Sequence, residues 1–262
     1  MAFKSRSLII SAFLFTFSLS AGAALFDRGG GLIYDDVLNV TWMQNTNPLF
    51  EPGVEVCPPQ IAPECFFTGG SNGHVTFEAA NSYVDTLEFY DAVRDVTYDD
   101  WRLPTVLPIN GVSLQFNNTL DGTSDQGNAL TTTDGTDGGW RDGAGIPVSE
   151  LGYMFYVNLA NTAGDLTNTG PFFNIEAEFS SSSINYWTGT LTQGLTDAAY
   201  FNFKGGFQGL TADTEASGNA DIMAVWAVRD GDVISAVPVP AAVWLFGSGL
   251  IGLIGMARLK RL

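Results

Sequence analysis

The chain has 262 residues and a formal net charge of −17 at pH 7, with 28 acidic against 11 basic side chains. Five of the basic residues (Lys4, Arg6, Arg258, Lys260, Arg261) lie in the terminal segments and none of the acidic ones do. That leaves six basic against 28 acidic residues between them, a formal charge of −22 that repels phosphate backbones and excludes nucleic acid as a partner. The same field disfavours anionic polysaccharides and leaves neutral glycans or cations as ligands.

Residues 1–24 read as a secretory signal peptide. Lys4 and Arg6 form a positive start, Leu8 to Leu19 an almost unbroken apolar run, and Ala21-Gly22-Ala23 a small-x-small cleavage pattern. The mature chain then begins near Leu25, and residues 25–232 are long enough for one domain with a real core. GLIYDDVLNVTW, starting at Gly31, predicts two short strands around Asp35-Asp36, with Leu38, Val40 and Trp42 sharing one face. Residues 45–73 form a Pro-, Gly- and Asn-rich loop holding Cys57 and Cys65. In an exported chain such a close even pair reads as one disulfide, and a metal pair lacks further Cys or His partners.

A helix is predicted over 76–89, capped by Thr76, with Phe77, Ala80, Val84 and Leu87 as its apolar stripe. Pro104 biases Leu103 away from helix, so DDWRLPT (Asp99 to Thr105) reads as an extended turn. Residues 106–147 lack sustained periodicity and are rich in Gly, Asn, Thr and Asp, the composition of a functional or mobile loop. Within it TDGTDGGWRDG offers Asp134, Asp137 and Asp142 as candidate Ca²⁺ ligands, since that ion takes oxygen donors on permissive backbone; the spacing is not that of an EF-hand. Trp140 in the same loop is a candidate for stacking on a sugar ring. No other cofactor motif is present.

A second helix starts at a Ser149 cap, with Leu151, Met154, Phe155 and Leu159 facing inward. Strands are predicted around Tyr186-Trp187-Thr188, over Ala199 to Phe203, and over Met223 to Arg229, with a hairpin turn at Lys204-Gly205-Gly206-Phe207. Strands at both ends with two helices between them give an α+β fold class. The near-continuous apolar run Met223 to Val228 predicts a strand buried on both faces.

Chemistry for catalysis is sparse, and the reading is of a non-enzyme. His74 is the one histidine, so a nucleophilic mechanism would rest on it alone. Glu176 and Glu178 would share a strand face, which keeps a glycan-active hydrolase as an alternative. A structural envelope component without ligand is the other alternative.

The final segment, 233–262, reads as a sorting tail. Ala241 to Ala257 carries no charge and spans roughly 25 Å as a helix, near the ~30 Å of a hydrocarbon core. Arg258, Lys260 and Arg261 follow and would stay cytoplasmic.

Two resemblances join these features. Val237-Pro238-Val239-Pro240-Ala241-Ala242, with the apolar stretch Trp244 to Gly249 and the basic end, resembles the VPxPA variant of the PEP-CTERM sorting tails. That resemblance implies processing near the prolines by an exosortase-type membrane protease, and an exopolysaccharide context. It also implies an inner-membrane anchor before processing and a cell-surface or extracellular destination afterwards. GLIYDDVLNVTW, DDWRLPT, SELGYMFY, YWTGT and AVWAVRDGD, in that order, resemble the domain family named after the C-terminal part of the collagen-like adhesin Lcl. This implies a C-type-lectin-like domain with long loops over 25–232, in which the strand ending at Trp42 and the strand at Met223 to Arg229 lie in one sheet. The long stretch between Thr105 and Ser149 departs from that family, and the Glu-Pro-Asn and Trp-Asn-Asp motifs of sugar-binding C-type lectins are missing.

Overall fold

A computed structural model describes residues 25–50, 73–129, 139–175, 185–192, 197–212 and 222–233. The signal segment 1–24, the tail 234–262, Cys57, Cys65, Asp134, Asp137, Glu176 and Glu178 lie outside the described residues. No helix among the described residues is long and apolar enough to cross a membrane.

The architecture is α+β and sheet-rich. The elements are β1 (Leu25–Gly29), β2 (Leu32–Asp35), β3 (Val40–Met43), α1 (Phe77–Thr86), β4 (Phe89–Asp91), β5 (Val96–Tyr98), β6 (Trp101–Arg102), β7 (Gly127–Asn128), α2 (Glu150–Tyr153), β8 (Asn185–Leu191), β9 (Asp197–Asn202), β10 (Phe207–Ala212) and β11 (Val228–Asp230). They form a five-stranded sheet in the order β1-β2-β3-β11-β6, a four-stranded sheet in the order β7-β10-β9-β8, and the two-stranded hairpin β4-β5.

Local chemistry sets the element ends. Thr76 accepts from the Ala79 N–H at 3.3 Å and caps α1, which buries Phe77, Ala80 and Val84 as the spacing predicts. The helix stops at Thr86, earlier than the predicted 89, because Phe89 is drawn into β4 and packs edge-on against Trp101 at 5.7 Å. The Asp91 carboxylate accepts from the Val93 and Arg94 N–H groups and so closes the β4-β5 turn, a hairpin that the hydrophobic pattern did not indicate. Ser149 caps α2 by accepting from Gly152 N–H at 3.1 Å, and α2 continues as one π-helical turn over Met154–Asn158.

The terminal strands meet. β11 pairs antiparallel with β3 (Val228 opposite Trp42) and, on its other side, with β6 (Val228 opposite Arg102). The last strand therefore occupies the interior of the five-stranded sheet, which closes only when the two ends of the domain come together.

The run from Met223 to Val228 divides the core in two. Met223, Val225 and Ala227 join Val75, Phe77, Trp101 and Trp187 in one cluster, while Ala224, Trp226 and Val228 join Trp42, Phe155, Tyr186 and Phe203 in the other. Alternate side chains of an extended strand point to opposite faces, so an unbroken apolar run is what a segment between two apolar layers requires. Each large apolar side chain buried in this way contributes about 1.5–3 kcal/mol relative to exposure. Upstream, Val75 pairs with Met223 and Tyr186 with Ala224, so this one segment also ties α1 and the four-stranded sheet to the other sheet.

Candidate functional site

Residues 106–129 and 139–149 carry little regular structure but are pinned from within. The Asp125 carboxylate is buried and accepts from Ile109 N–H at 2.9 Å and Gln115 N–H at 2.6 Å. Burial pushes its pKa up, and the two backbone N–H groups work against that rise. Gln208 of β10 donates to the Asp125 carbonyl at 2.7 Å and accepts from the Ser149 hydroxyl at 2.6 Å. The stretch is thereby bound to the four-stranded sheet and to the start of α2.

Trp140 is a core residue, which corrects its reading as a sugar-stacking side chain. It has no exposed surface, its indole N–H donates to the Ser124 carbonyl at 2.7 Å, and its ring meets Tyr156 and Phe201 edge-on at 6.0 Å each. No ring face is left for a ligand. Gly152 is the reason the indole fits, since a Cβ there would stand 2.4 Å from the Trp140 ring. Asp142, one of the three candidate calcium ligands, turns its carboxylate back on its own loop and accepts from Ala144 and Ile146 N–H at 2.9 Å each. No group of three or more His, Cys, Asp or Glu side chains suited to a metal ion occurs among the described residues. His74 is half-buried, just before the bridge from Val75 to Met223.

DDWRLPT is an organising centre for charge. Arg102 makes a bidentate pair with Glu150 at 2.8 Å and reaches Asp230 at 2.6 Å. Burial opposes its charge, but Glu150 and Asp230 more than offset that and raise its pKa. Glu150 also accepts from Thr105 N–H at 2.7 Å. Arg229 grips Asp100 through two nitrogens at 2.7 and 2.8 Å and lies over the Tyr98 ring at 4.4 Å; the Arg229 hydrogen bond holds the Asp100 pKa low. Arg28 pairs with Asp232, joining the first strand to the end of the last, and Arg94 pairs with Asp91. Arg141 donates to the Gly145 carbonyl and lies over Tyr153. All five arginines between residues 25 and 232 are thus engaged within the molecule, and Lys204, on the β9-β10 turn, is exposed. The outward field is that of the carboxylates.

One shallow depression of about 150 Å³ opens where β8, β9 and β10 meet the incoming chain at Ile222-Met223. Asn185, Tyr200, Leu210, Thr211, Ile222 and Met223 line it, with no charged side chain among them. The cross-strand register places Tyr200 opposite both Trp187 and Gly209, on the face of the sheet that packs toward α1. Sequence reading missed this place because its walls come from four separate segments. The one local signal is Gly209, a strand glycine set opposite an aromatic.

Compared with protein-family models, curated proteins and solved structures, the chain matches none of them.

Proposed function

We propose that this chain is an exported surface or matrix protein whose domain, residues 25–232, has a C-type-lectin-like architecture and binds a neutral extracellular polysaccharide without acting on it chemically. The architecture draws support from the β3-β11 pairing, because bringing the terminal strands into one sheet is what that fold demands. The signal segment and the uncharged stretch with its basic end support export and membrane anchoring, followed by processing near Val237 to Pro240 by an exosortase-type protease.

The observation that carries the choice of ligand is the engagement of every arginine in the domain by an internal partner. A surface whose guanidinium groups are spent inward offers polyanions repulsion and little to pair with. A neutral polymer meets neither obstacle. The test is a glycan array probed with the exported protein, with and without Ca²⁺. Binding of neutral glycans over polyuronates is the expected result. A silent array favours a structural envelope component, and release of free sugar a hydrolase.

A further inference from the structure

We infer that residues 231–233 form a latch that fixes how far from the folded domain the tail is cut, leaving residues 234–240 as the length that spans from domain to membrane; this rests on the export and sorting reading above. The latch is closed at three successive residues. Gly231 turns the chain at φ +76°, its N–H donates to the Asn39 carbonyl at 2.8 Å, and its carbonyl accepts from the Thr41 hydroxyl at 2.7 Å. Asp232 accepts from Arg28 through both carboxylate oxygens, at 3.0 and 2.5 Å. Val233 is 2% exposed and belongs to the core cluster of Phe77, Trp101 and Trp187. The chain therefore crosses from β11 over β3 toward β1, and the first strand holds it at Asp232.

The strand register says which way that exit faces. Leu25 pairs with Asp35, Asp35 with Val40, and Val40 with Asp230, so the chain enters and leaves the domain in one row at one end of the five-stranded sheet. Seven residues, 234–240, separate Val233 from the uncharged stretch that starts at Ala241. Fully extended, they reach about 25 Å. A domain of this size is roughly 40 Å across, so its far side cannot turn to the membrane while the tail is attached. The end carrying Leu25, Asp35 and Asp230 faces the membrane. Val237 to Pro240 begins four residues past Val233 and ends seven past it. A protease binds its substrate as an extended segment along the main chain, so the length between the latch and the prolines decides whether the folded domain lets it in.

The experiment follows tail removal from the full chain in cells with and without an exosortase, by size and fractionation. Deleting residues 234–236 leaves four residues, about 14 Å, between Val233 and Ala241 and should slow removal at least about tenfold. Replacing the same three residues with Gly-Ser-Gly keeps the length and should be processed as wild type. Opening the latch in the deletion variant, by Asp232→Ala with Val233→Ser, returns two residues to the span and should restore most of the rate. Arg28→Ala, which frees Asp232 alone, should restore part of it. Inserting Gly-Ser-Gly after Val233 in the deletion variant should restore the rate with the latch closed. Thermal unfolding of each variant shows that the domain is folded. The latch is overturned, and the sorting reading stands, if the deletion variant is processed at the wild-type rate or if the length-preserving replacement slows removal as much as the deletion. Rescue by the insertion but not by the folded open-latch variants overturns it equally. If wild type keeps its tail in the presence of the exosortase, both fall.

Discussion

Replacing Trp140, Trp187 and Trp42 with phenylalanine, one at a time, tests the account of how residues 106–129 and 139–149 are held down. All three side chains are fully buried, so each change removes a similar volume from the core, and the cavity cost is shared to first order. They differ at the indole nitrogen. The Trp140 N–H donates to the Ser124 carbonyl, and Ser124 itself is 1% exposed, so losing the donor leaves a buried acceptor unmatched. The Trp187 N–H donates to the Val75 carbonyl at 2.8 Å, but that oxygen also accepts from Met223 N–H at 3.0 Å and stays satisfied. The Trp42 N–H is buried without a hydrogen-bond partner among the described residues, so its removal relieves a cost. A typical hydrogen bond contributes about 0.5–1.5 kcal/mol net, and a stranded buried group costs about 1–3 kcal/mol. Trp140→Phe should therefore be less stable than Trp42→Phe by about 1–3 kcal/mol, with Trp187→Phe between them. For a domain of this size each kcal/mol moves Tm by about 2–4 °C, which separates the two extremes by roughly 2–12 °C. Denaturant and thermal unfolding with a common m-value provide the assay. A Trp42→Phe variant as damaged as Trp140→Phe would refute the assignment of Trp140 as the hydrogen-bonded anchor.

Further predictions concern charge, packing and sorting. Asp35 is buried, and desolvation raises its pKa above 3.8 despite donors from Leu38, Asn158 and Val37. Because the folded state holds this proton to higher pH than the unfolded chain, its stabilising contribution is complete below about 3.8 and is lost as pH rises through the folded value. Asp35→Asn should therefore gain Tm relative to wild type as pH rises from about 3.5 to 7, since Asn158 can turn its Oδ1, which has no partner among the described residues, toward the new amide; a difference independent of pH would contradict this. Arg102→Lys cannot reproduce the bidentate pair with Glu150 and should cost about 1–3 kcal/mol by denaturant unfolding, shrinking in high salt. Gly152→Ala drives a methyl to within 2.4 Å of the Trp140 ring and should cost about 1–3 kcal/mol, while Gly143→Ala, with nothing within 4 Å, should change Tm little. In cells, Pro238→Ala with Pro240→Ala should leave membrane insertion intact and slow tail removal; equal retention of the tail with and without an exosortase, read by size and fractionation, would reduce the segment to a plain anchor.

Features that depend on near neighbours were legible in the sequence. The Thr76 and Ser149 caps act over three residues, the β2-β3 and β9-β10 turns join adjacent strands, and the unbroken apolar run from Met223 to Val228 announces a segment enclosed on both faces. The same local rules overran α1 into Phe89, whose partner Trp101 lies twelve positions on and is invisible to helical spacing. Trp140 sits among glycines and aspartates that suggest an open loop, yet its place is decided by Ser124, Gly152, Tyr156 and Phe201. Arg102 takes its partners from 48 and 128 positions away, and residues 185, 200 and 211 share one depression only because β8, β9 and β10 pair in register. Capping, turns and strand alternation follow from backbone hydrogen bonding within a few residues, so composition and spacing determine them. Which carboxylate meets which arginine, and which aromatic is sealed inside, depends on how distant segments exclude water from one another, and only the tertiary structure decided that.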